Sequence, residues 1–355
     1  MKKSLDLLKG FLYFLVITLG FTACEGEDPV PVEKPVPGAH GVFILNEGSW
    51  GGNNAGLSYH AFETNYTFSD ILNGKLGDTG QDIIAYGSKL YIAVSKSKYI
   101  KVIDLYSQAS LDSIPLQENG KALAPRYLTS YNGNVYVTTS DPVKGNVLRI
   151  DTTSFQSEII AKVGAYPEGI AALNGKLYVA NSGYGTGNTV SVIDLNNTAE
   201  EKSIIVGHNP YIVRADQDNN RIYLTYQGDY GDDKGGIQEI NPQNGAVTKL
   251  PIFANRNFTI VDGRLYYFGI TYNADHSANC TFGVYNLKTK ENKSIISDET
   301  EISIAYGIGV NPLTKDVYIS DTDYTNTGFF YVFGTDGNKK GRINAGISPN
   351  NFVFY

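Results

Sequence analysis

Short apolar segments separated by turn residues recur along most of the chain. The stretch 164–207 is the clearest example, because it holds four such runs and places Asn174-Gly175 between the first two. Asn-Gly between apolar runs is typical of a tight hairpin, since both central residues of the turn need positive φ. The stretch is therefore predicted to form a four-stranded antiparallel meander of about 40 residues.

One of these runs occurs seven times with an aromatic residue at its centre. From Phe43 to Tyr318, successive central aromatic residues are 42 to 52 residues apart. The copies lie at 41–45, 89–93, 134–138, 176–180, 221–225, 264–268 and 316–320. A period in the forties with four strands per unit is typical of a β-propeller, whose sheets bury both faces against their neighbours. The predicted fold class is all-β, a seven-bladed β-propeller.

The two ends of the repeat region complement each other. The first repeat begins on a second strand at Gly41, and the run 349–355 is similar to the first strand at 167–172. We therefore expect the C-terminal strand to complete the N-terminal blade, which removes a free sheet edge and closes the ring. The propeller is predicted to span residues 40–355.

Residues 1–23 have the features of a bacterial export signal. A basic start is followed by an apolar run at 11–21, which is too short for a typical membrane span. Thr22-Ala23 before Cys24 resembles a lipobox, with Cys24 as the acylated first residue of the mature protein. An ordinary secretory peptide, with Cys24 uninvolved, is the alternative.

Residues 24–39 combine prolines with charges and are predicted to form an extended tether. The acidic run 25–28 resembles the export tag of surface lipoproteins in Bacteroidetes, and a solvated linker is the alternative. The resemblance implies a lipid-anchored protein of the outer membrane that faces the cell exterior. The formal net charge of −7 repels phosphate backbones, so nucleic acid is not expected as a partner.

The blade around residue 178 carries a family resemblance. YVAN at 178–181 followed by VSVID at 190–194 resembles the YVTN-type propeller repeat of surface-layer and YncE-like proteins. With the leader and the acidic run, the chain resembles surface lipoproteins of gut Bacteroidetes, some of which capture cobalamin for a TonB-dependent transporter. The resemblance implies a non-enzymatic binding protein for a bulky nutrient, with a cobalamin-like corrinoid favoured.

Seven polar or aromatic residues are expected to surround one mouth of the central channel. The starts of the first strands lie on the same face of a propeller as the loops between second and third strands. The residue after the proline, or its equivalent, in each first strand is therefore placed there. We call these the ring residues: Gln81, Arg126, Glu168, Tyr211, Arg256, Tyr306 and Asn350. Pairing of the two arginines with Glu168 is the alternative to ligand contact.

The loops on the same face carry large aromatic side chains. We call these the rim aromatics: Trp50, Tyr99, Tyr184, Tyr230, Tyr272 and Tyr324. Aromatic rings offer a large contact area at low entropic cost, and tyrosine adds a hydroxyl for hydrogen bonding. Ring and rim together suit a partly apolar ligand with amide or hydroxyl edges, such as a corrinoid or a carbohydrate. Packing of these rings back onto the blades is the alternative.

No catalytic or metal-binding motif accompanies the ring in the sequence. The four histidines form no ligand pair, and no nucleophile elbow or phosphate loop is present. Asp229, Asp232 and Asp233 are interpreted as a solvated loop rather than a calcium site. We therefore expect no metal, no cofactor and no enzymatic activity. A protein-interaction or adhesin propeller is the first alternative, and a propeller hydrolase or quinoprotein-like enzyme is the second.

Overall fold

The structure, a computed structural model, describes residues 37–229, 231–275 and 277–355. The predicted export signal, Cys24, most of the tether and Tyr230 lie outside the described residues. Strands dominate the described part, which also has a short 3-10 helix at Gly183–Gly185. None of its helical segments has the length and apolarity needed to cross a membrane.

Seven four-stranded antiparallel sheets, the blades, account for all but two of the strands in the described residues. Blade 1 begins with β1 (Gly41–Asn46), β2 (Gly56–Ala61) and β3 (Tyr66–Phe68). Blade 2 contains β4 (Gly80–Tyr86), β5 (Lys89–Val94), β6 (Tyr99–Asp104) and β7 (Ser110–Pro115). A two-stranded hairpin of β8 (Gln117–Glu118) and β9 (Lys121–Ala122) follows. Blade 3 contains β10 (Ala124–Tyr131), β11 (Asn134–Ser140), β12 (Asn146–Asp151) and β13 (Ser157–Lys162).

The remaining blades repeat this order along the chain. Blade 4 contains β14 (Pro167–Leu173), β15 (Lys176–Asn181), β16 (Thr189–Asp194) and β17 (Asn197–Ile205). Blade 5 contains β18 (Pro210–Asp216), β19 (Arg221–Tyr226), β20 (Gly236–Ile240) and β21 (Val247–Lys249). Blade 6 contains β22 (Phe258–Val261), β23 (Arg264–Tyr272), β24 (Ala278–Asn286) and β25 (Asn292–Ser294). Blade 7 contains β26 (Ala305–Val310), β27 (Val317–Asp321), β28 (Thr327–Phe333) and β29 (Lys339–Ile347), and β30 (Pro349–Phe354) returns to blade 1.

The repeated aromatic residue of the second strands lies in the core between blades. Phe43 and Tyr91 are fully buried, and Tyr178 is 1% exposed. Each blade is covered by a neighbour on both faces, so its central strands are apolar on both sides. This is why the second strands read as continuous apolar runs rather than alternating ones.

The first strands close into a ring. Each first strand contacts the first strand of the next blade, from β4 through β10, β14, β18, β22 and β26 to β30, and β30 contacts β4 again. In blade 1, β30 pairs antiparallel with β1, so that Val353 lies opposite Phe43 and Phe352 opposite Ile44. The predicted seven-bladed propeller and its closure by the C-terminal strand are confirmed.

A β-bulge recurs at the start of the first strands, and it contains the ring residue. In blade 3, Pro125 pairs with Thr139 and Leu128 pairs with Val137, so two residues oppose one. Blades 4, 5 and 7 show the same register shift after Pro167, Pro210 and Ala305. A bulge bends its strand and redirects a side chain. Here it redirects the ring residue toward the mouth of the channel.

Buried hydroxyl groups fill three of these bulges. Thr138 accepts a hydrogen bond from the Tyr127 amide at 3.0 Å and donates to the Glu168 carbonyl of the next blade at 2.9 Å. Thr225 and Ser320 make the equivalent pair of bonds in blades 5 and 7. Each hydroxyl therefore satisfies the bulged amide of its own blade and ties that blade to its neighbour.

Candidate functional site

A pocket of about 110 Å³ opens where the first strands begin. We call it the rim pocket. Its wall includes five ring residues and two rim aromatics: Gln81, Tyr211, Arg256, Tyr306, Asn350, Tyr272 and Tyr324. Glu47 and Tyr127 also line it, and sequence reasoning had singled out neither. Residues far apart in the chain thus meet at one site because the ring brings the blade ends together.

Three ring residues pair with one another on one side of the channel mouth. The Arg126 Nη2 and Nε atoms donate to Glu168 Oε2 at 2.6 and 2.9 Å, and Nη1 donates to Gln81 Oε1 at 2.6 Å. Burial raises the pKa of Glu168, and the charge of Arg126 opposes that shift. The charges of Arg126 and Glu168 are therefore matched within the protein. This pairing is the alternative to ligand contact that was given for these residues.

Tyrosine side chains form much of the wall of the rim pocket. The rings of Tyr306 and Tyr324 meet edge to face at 5.3 Å, and those of Tyr127 and Tyr211 do so at 5.8 Å. The Tyr306 hydroxyl donates a hydrogen bond to the Glu47 carboxylate. Burial raises the pKa of Glu47, whereas this hydrogen bond lowers it. Aromatic pairs of this geometry hold the wall in a defined shape.

Arg256 differs from Arg126 in its surroundings. Its guanidinium carbon lies 5.9 Å from the centre of the Tyr272 ring, within the range of a cation–π contact. Its Nε atom is buried without a hydrogen-bond partner. Among the described residues, no carboxylate lies within ion-pairing distance of Arg256. The rim pocket thus contains one cation that the fold does not neutralise.

Trp50, Tyr99 and Tyr184 lie outside the rim pocket lining. Trp50 and Tyr184 are 75% and 82% exposed on their loops. The Tyr99 hydroxyl donates to the Leu76 carbonyl at 2.6 Å, and its ring packs against the core between blades 1 and 2. The structure therefore brings two rim aromatics, Tyr272 and Tyr324, to the ring residues and directs Tyr99 inward.

A second cavity, of about 450 Å³, occupies the central channel and is lined by the first strands of all seven blades. Asp82 lies in its wall and is 2% exposed. Its Oδ2 atom accepts a hydrogen bond from the Leu128 amide at 2.8 Å. Burial raises the pKa of Asp82 to about 6, and the charge of Arg214 in the same wall opposes the shift. Neither residue was among the predicted site residues.

Among the described residues, no three His, Cys, Asp or Glu side chains are grouped so that they could hold a metal ion. Cys280 is half-buried and free. The chemistry of the channel mouth in these residues therefore consists of hydrogen bonds, aromatic faces and the charges of Arg126, Glu168, Glu47 and Arg256.

Comparison with known proteins bears on the fold. No protein-family model and no curated protein sequence matches the chain. Among solved structures, hydrazine synthase of Kuenenia stuttgartiensis is similar, with 15% identity over 77% of this chain and 88% of that one and a TM-score of 0.62. The chain has a seven-bladed β-propeller fold.

Two Bacteroides structures described provisionally as 6-phosphogluconolactonases are also similar to the chain. The Bacteroides fragilis protein is 14% identical over 91% of this chain and all of its own, with a TM-score of 0.60. The Bacteroides uniformis protein is 11% identical over 89% of this chain and all of its own, with a TM-score of 0.62. Identities this low establish a common fold and carry no assignment of activity.

Proposed function

We propose that the protein is a non-enzymatic binding protein that captures a bulky nutrient at the rim pocket, and that a cobalamin-like corrinoid is the favoured ligand. The observation that carries the proposal is the convergence of residues from separate blades. Five ring residues and two rim aromatics, chosen from repeat positions, line one pocket. The protein would hand its ligand to a TonB-dependent transporter of the outer membrane.

The size of the rim pocket defines how such a ligand would bind. Sites that enclose a drug-sized molecule usually have volumes of about 300–1,000 Å³. The rim pocket has about 110 Å³, so it accepts one projecting group while the rest of the ligand lies over the mouth. Tyr272 and Tyr324, which are 52% and 44% exposed, offer apolar faces for a flat macrocycle. Gln81 and Asn350 also line the pocket, but Gln81 Oε1 accepts from Arg126 and Asn350 Nδ2 donates to the Gly80 carbonyl, so the main ligand contacts are placed on the aromatic faces.

The direction of the chain supports an outward-facing site. β1 runs from Gly41 to Asn46, and Glu47, which follows it directly, lines the rim pocket. The chain therefore enters the propeller at the face opposite the rim pocket. If lipid on Cys24 anchors the protein to the outer membrane, the tether joins the face that points away from the ligand, and the pocket stays accessible from outside.

Exposed aromatic side chains favour a second candidate, a protein-interaction propeller. Trp50 and Tyr184 stand free of the rim pocket on the same face, at 75% and 82% exposure. Tryptophan and tyrosine are enriched at the energetic centres of protein interfaces. In this alternative, the face with the rim pocket docks onto a protein such as the transporter itself, and no small ligand is needed.

Isothermal titration against cyanocobalamin, haem and a panel of oligosaccharides tests the proposal. We expect micromolar or tighter binding of one of these ligands. The double variant Tyr272→Ala/Tyr324→Ala should weaken it at least about tenfold, since buried aromatic contacts are worth more than 1 kcal/mol each. The matched control is Tyr66→Ala/Phe68→Ala, which removes two exposed rings from the outer strand of blade 1.

Two results would argue against nutrient capture at the rim pocket. Binding that the control variant weakens as much as the pocket variant would place the ligand elsewhere. No binding of any ligand, together with binding to a purified TonB-dependent transporter, would favour the protein-interaction alternative.

A further inference from the structure

The charges in the rim pocket are unevenly satisfied. Arg126 has its charge matched by Glu168 at 2.6 Å, and the Glu47 carboxylate accepts a hydrogen bond from Tyr306. Arg256 has neither an ion-pair partner nor an acceptor for its buried Nε atom among the described residues. A buried donor left without an acceptor costs about 1–3 kcal/mol, so the fold alone does not explain this placement of Arg256.

The surroundings of Arg256 resemble a prepared anion site. A guanidinium presents several N–H donors in one plane, which suits two-point contact with a carboxylate or a phosphate. The Tyr272 ring, 5.9 Å from the guanidinium carbon, restricts its position. Tyr324 lies in the same wall and leaves 44% of its surface exposed. A charged group beside Arg256 would therefore lie next to two aromatic rings.

We propose that Arg256 binds an anionic group, a carboxylate or a phosphate, of the ligand in the rim pocket, while Tyr272 and Tyr324 cover the adjoining apolar part. This inference rests on the proposed function, because it names the chemical class of ligand for the same pocket. It predicts that ligands carrying such a group bind more tightly than neutral ligands of the same shape.

Glu47 is the carboxylate of the same wall that would repel an anion. Its charge is offset within the protein, because Tyr306 donates a hydrogen bond to it and the positive charge of Arg126 acts on it. Neither contribution involves Arg256. The terminal Nη atoms of Arg256 therefore stay free for a ligand, while Glu47 keeps its own partners.

The test compares benzoate with benzamide, which have the same shape and differ in charge, and adds phenyl phosphate as a second anion. Dissociation constants would be measured by NMR titration in low-chloride buffer. We expect both anions to bind about tenfold more tightly than benzamide, as charge-assisted hydrogen bonds predict. Arg256→Gln should bring them to the benzamide level. The ratio of benzoate to phenyl phosphate affinity identifies which anion the site prefers.

Arg342→Gln is the matched control. Arg342 stacks on the Phe329 ring at 3.6 Å in the outer part of blade 7, so this variant also removes an arginine with a cation–π contact, but away from the rim pocket. It should leave all three affinities unchanged. Melting curves of both variants would exclude unfolding as the cause of any loss.

Each contrary outcome has a separate meaning. Equal binding of benzoate and benzamide, or anion binding that Arg256→Gln does not alter, overturns the inference and leaves the proposed function standing. Failure of all three probes to bind also overturns the inference, and the nutrient titration then decides independently whether the rim pocket binds a ligand at all.

Discussion

Two arginines at the channel mouth make different interactions because their neighbours differ. Arg126 and Arg256 occupy equivalent repeat positions, but only Arg126 has a carboxylate beside it, at 2.6 Å. The equivalence was visible in the sequence, because both residues occupy the same position of the repeat, near the start of a first strand. The ion pair of Arg126 with Glu168 was not visible in the sequence, because it depends on which ring residues are neighbours across the blades and on the direction of each side chain.

Asp82 yields a prediction about pH. Its carboxyl is buried in the channel wall and its pKa is raised to about 6. A carboxyl whose pKa is raised by folding lowers stability as pH rises from about 4 to about 6, and the loss is complete above that range. Asp82→Asn keeps an acceptor for the Leu128 amide and removes the charge. We expect it to stabilise the protein at pH 7.5 by about 3 kcal/mol, and by little at pH 4.

Urea unfolding at the two pH values measures this difference. Asp218→Asn, at an exposed position in a blade 5 turn, is the control and should change stability little at either pH. An Asp82→Asn variant that is less stable than the native protein at pH 7.5 would mean that the carboxylate is needed in its charged form.

The bulged first strand is the element that positions the site. The proline or its equivalent marks a repeat position in the sequence, and five of the seven residues chosen from it line the rim pocket. The β-bulge itself could not be predicted from the sequence. One extra residue in a short apolar strand does not change the visible pattern of apolar and polar positions. For the same reason Tyr127, which follows Arg126 within the bulge of blade 3, was missed. Tyr99, grouped with the rim aromatics, is the first residue of β6 and packs into the core, which is the alternative given for these side chains.

Thr138 allows the contribution of one bulge to be measured. Thr138→Val removes the acceptor of the Tyr127 amide and the donor to the Glu168 carbonyl at a fully buried position. We expect a loss of about 2 kcal/mol in the free energy of unfolding, because the amide is left unsatisfied at nearly constant side-chain volume.

Thr248→Val serves as the control for Thr138→Val in urea unfolding. Thr248 is exposed on β21, the outer strand of blade 5, and its replacement should change the stability by less than about 0.5 kcal/mol. Equal stability of the two variants would show that the buried hydroxyl contributes nothing to holding the bulge.

At the scale of the whole molecule, closure of the ring brings residues from separate repeats together at one site. The number of blades and the closing strand followed from the spacing of the second strands and from the similarity of 349–355 to a first strand. The depth of the rim pocket could not be predicted from the sequence, because it depends on the side-chain orientations of Tyr272, Tyr306 and Tyr324 at the channel mouth. Glu47 left no distinguishing signal, since other second strands also end beside polar residues.

The central claim is that the ring residues and two rim aromatics form one ligand-binding site. A crystal structure of the protein with the tightest ligand from the titration tests it most directly. The account predicts a ligand over the rim pocket, with one group inserted beside Arg256 and an apolar face against Tyr272 and Tyr324. A ligand bound at the opposite mouth of the channel, or between the outer strands of two blades, would contradict it.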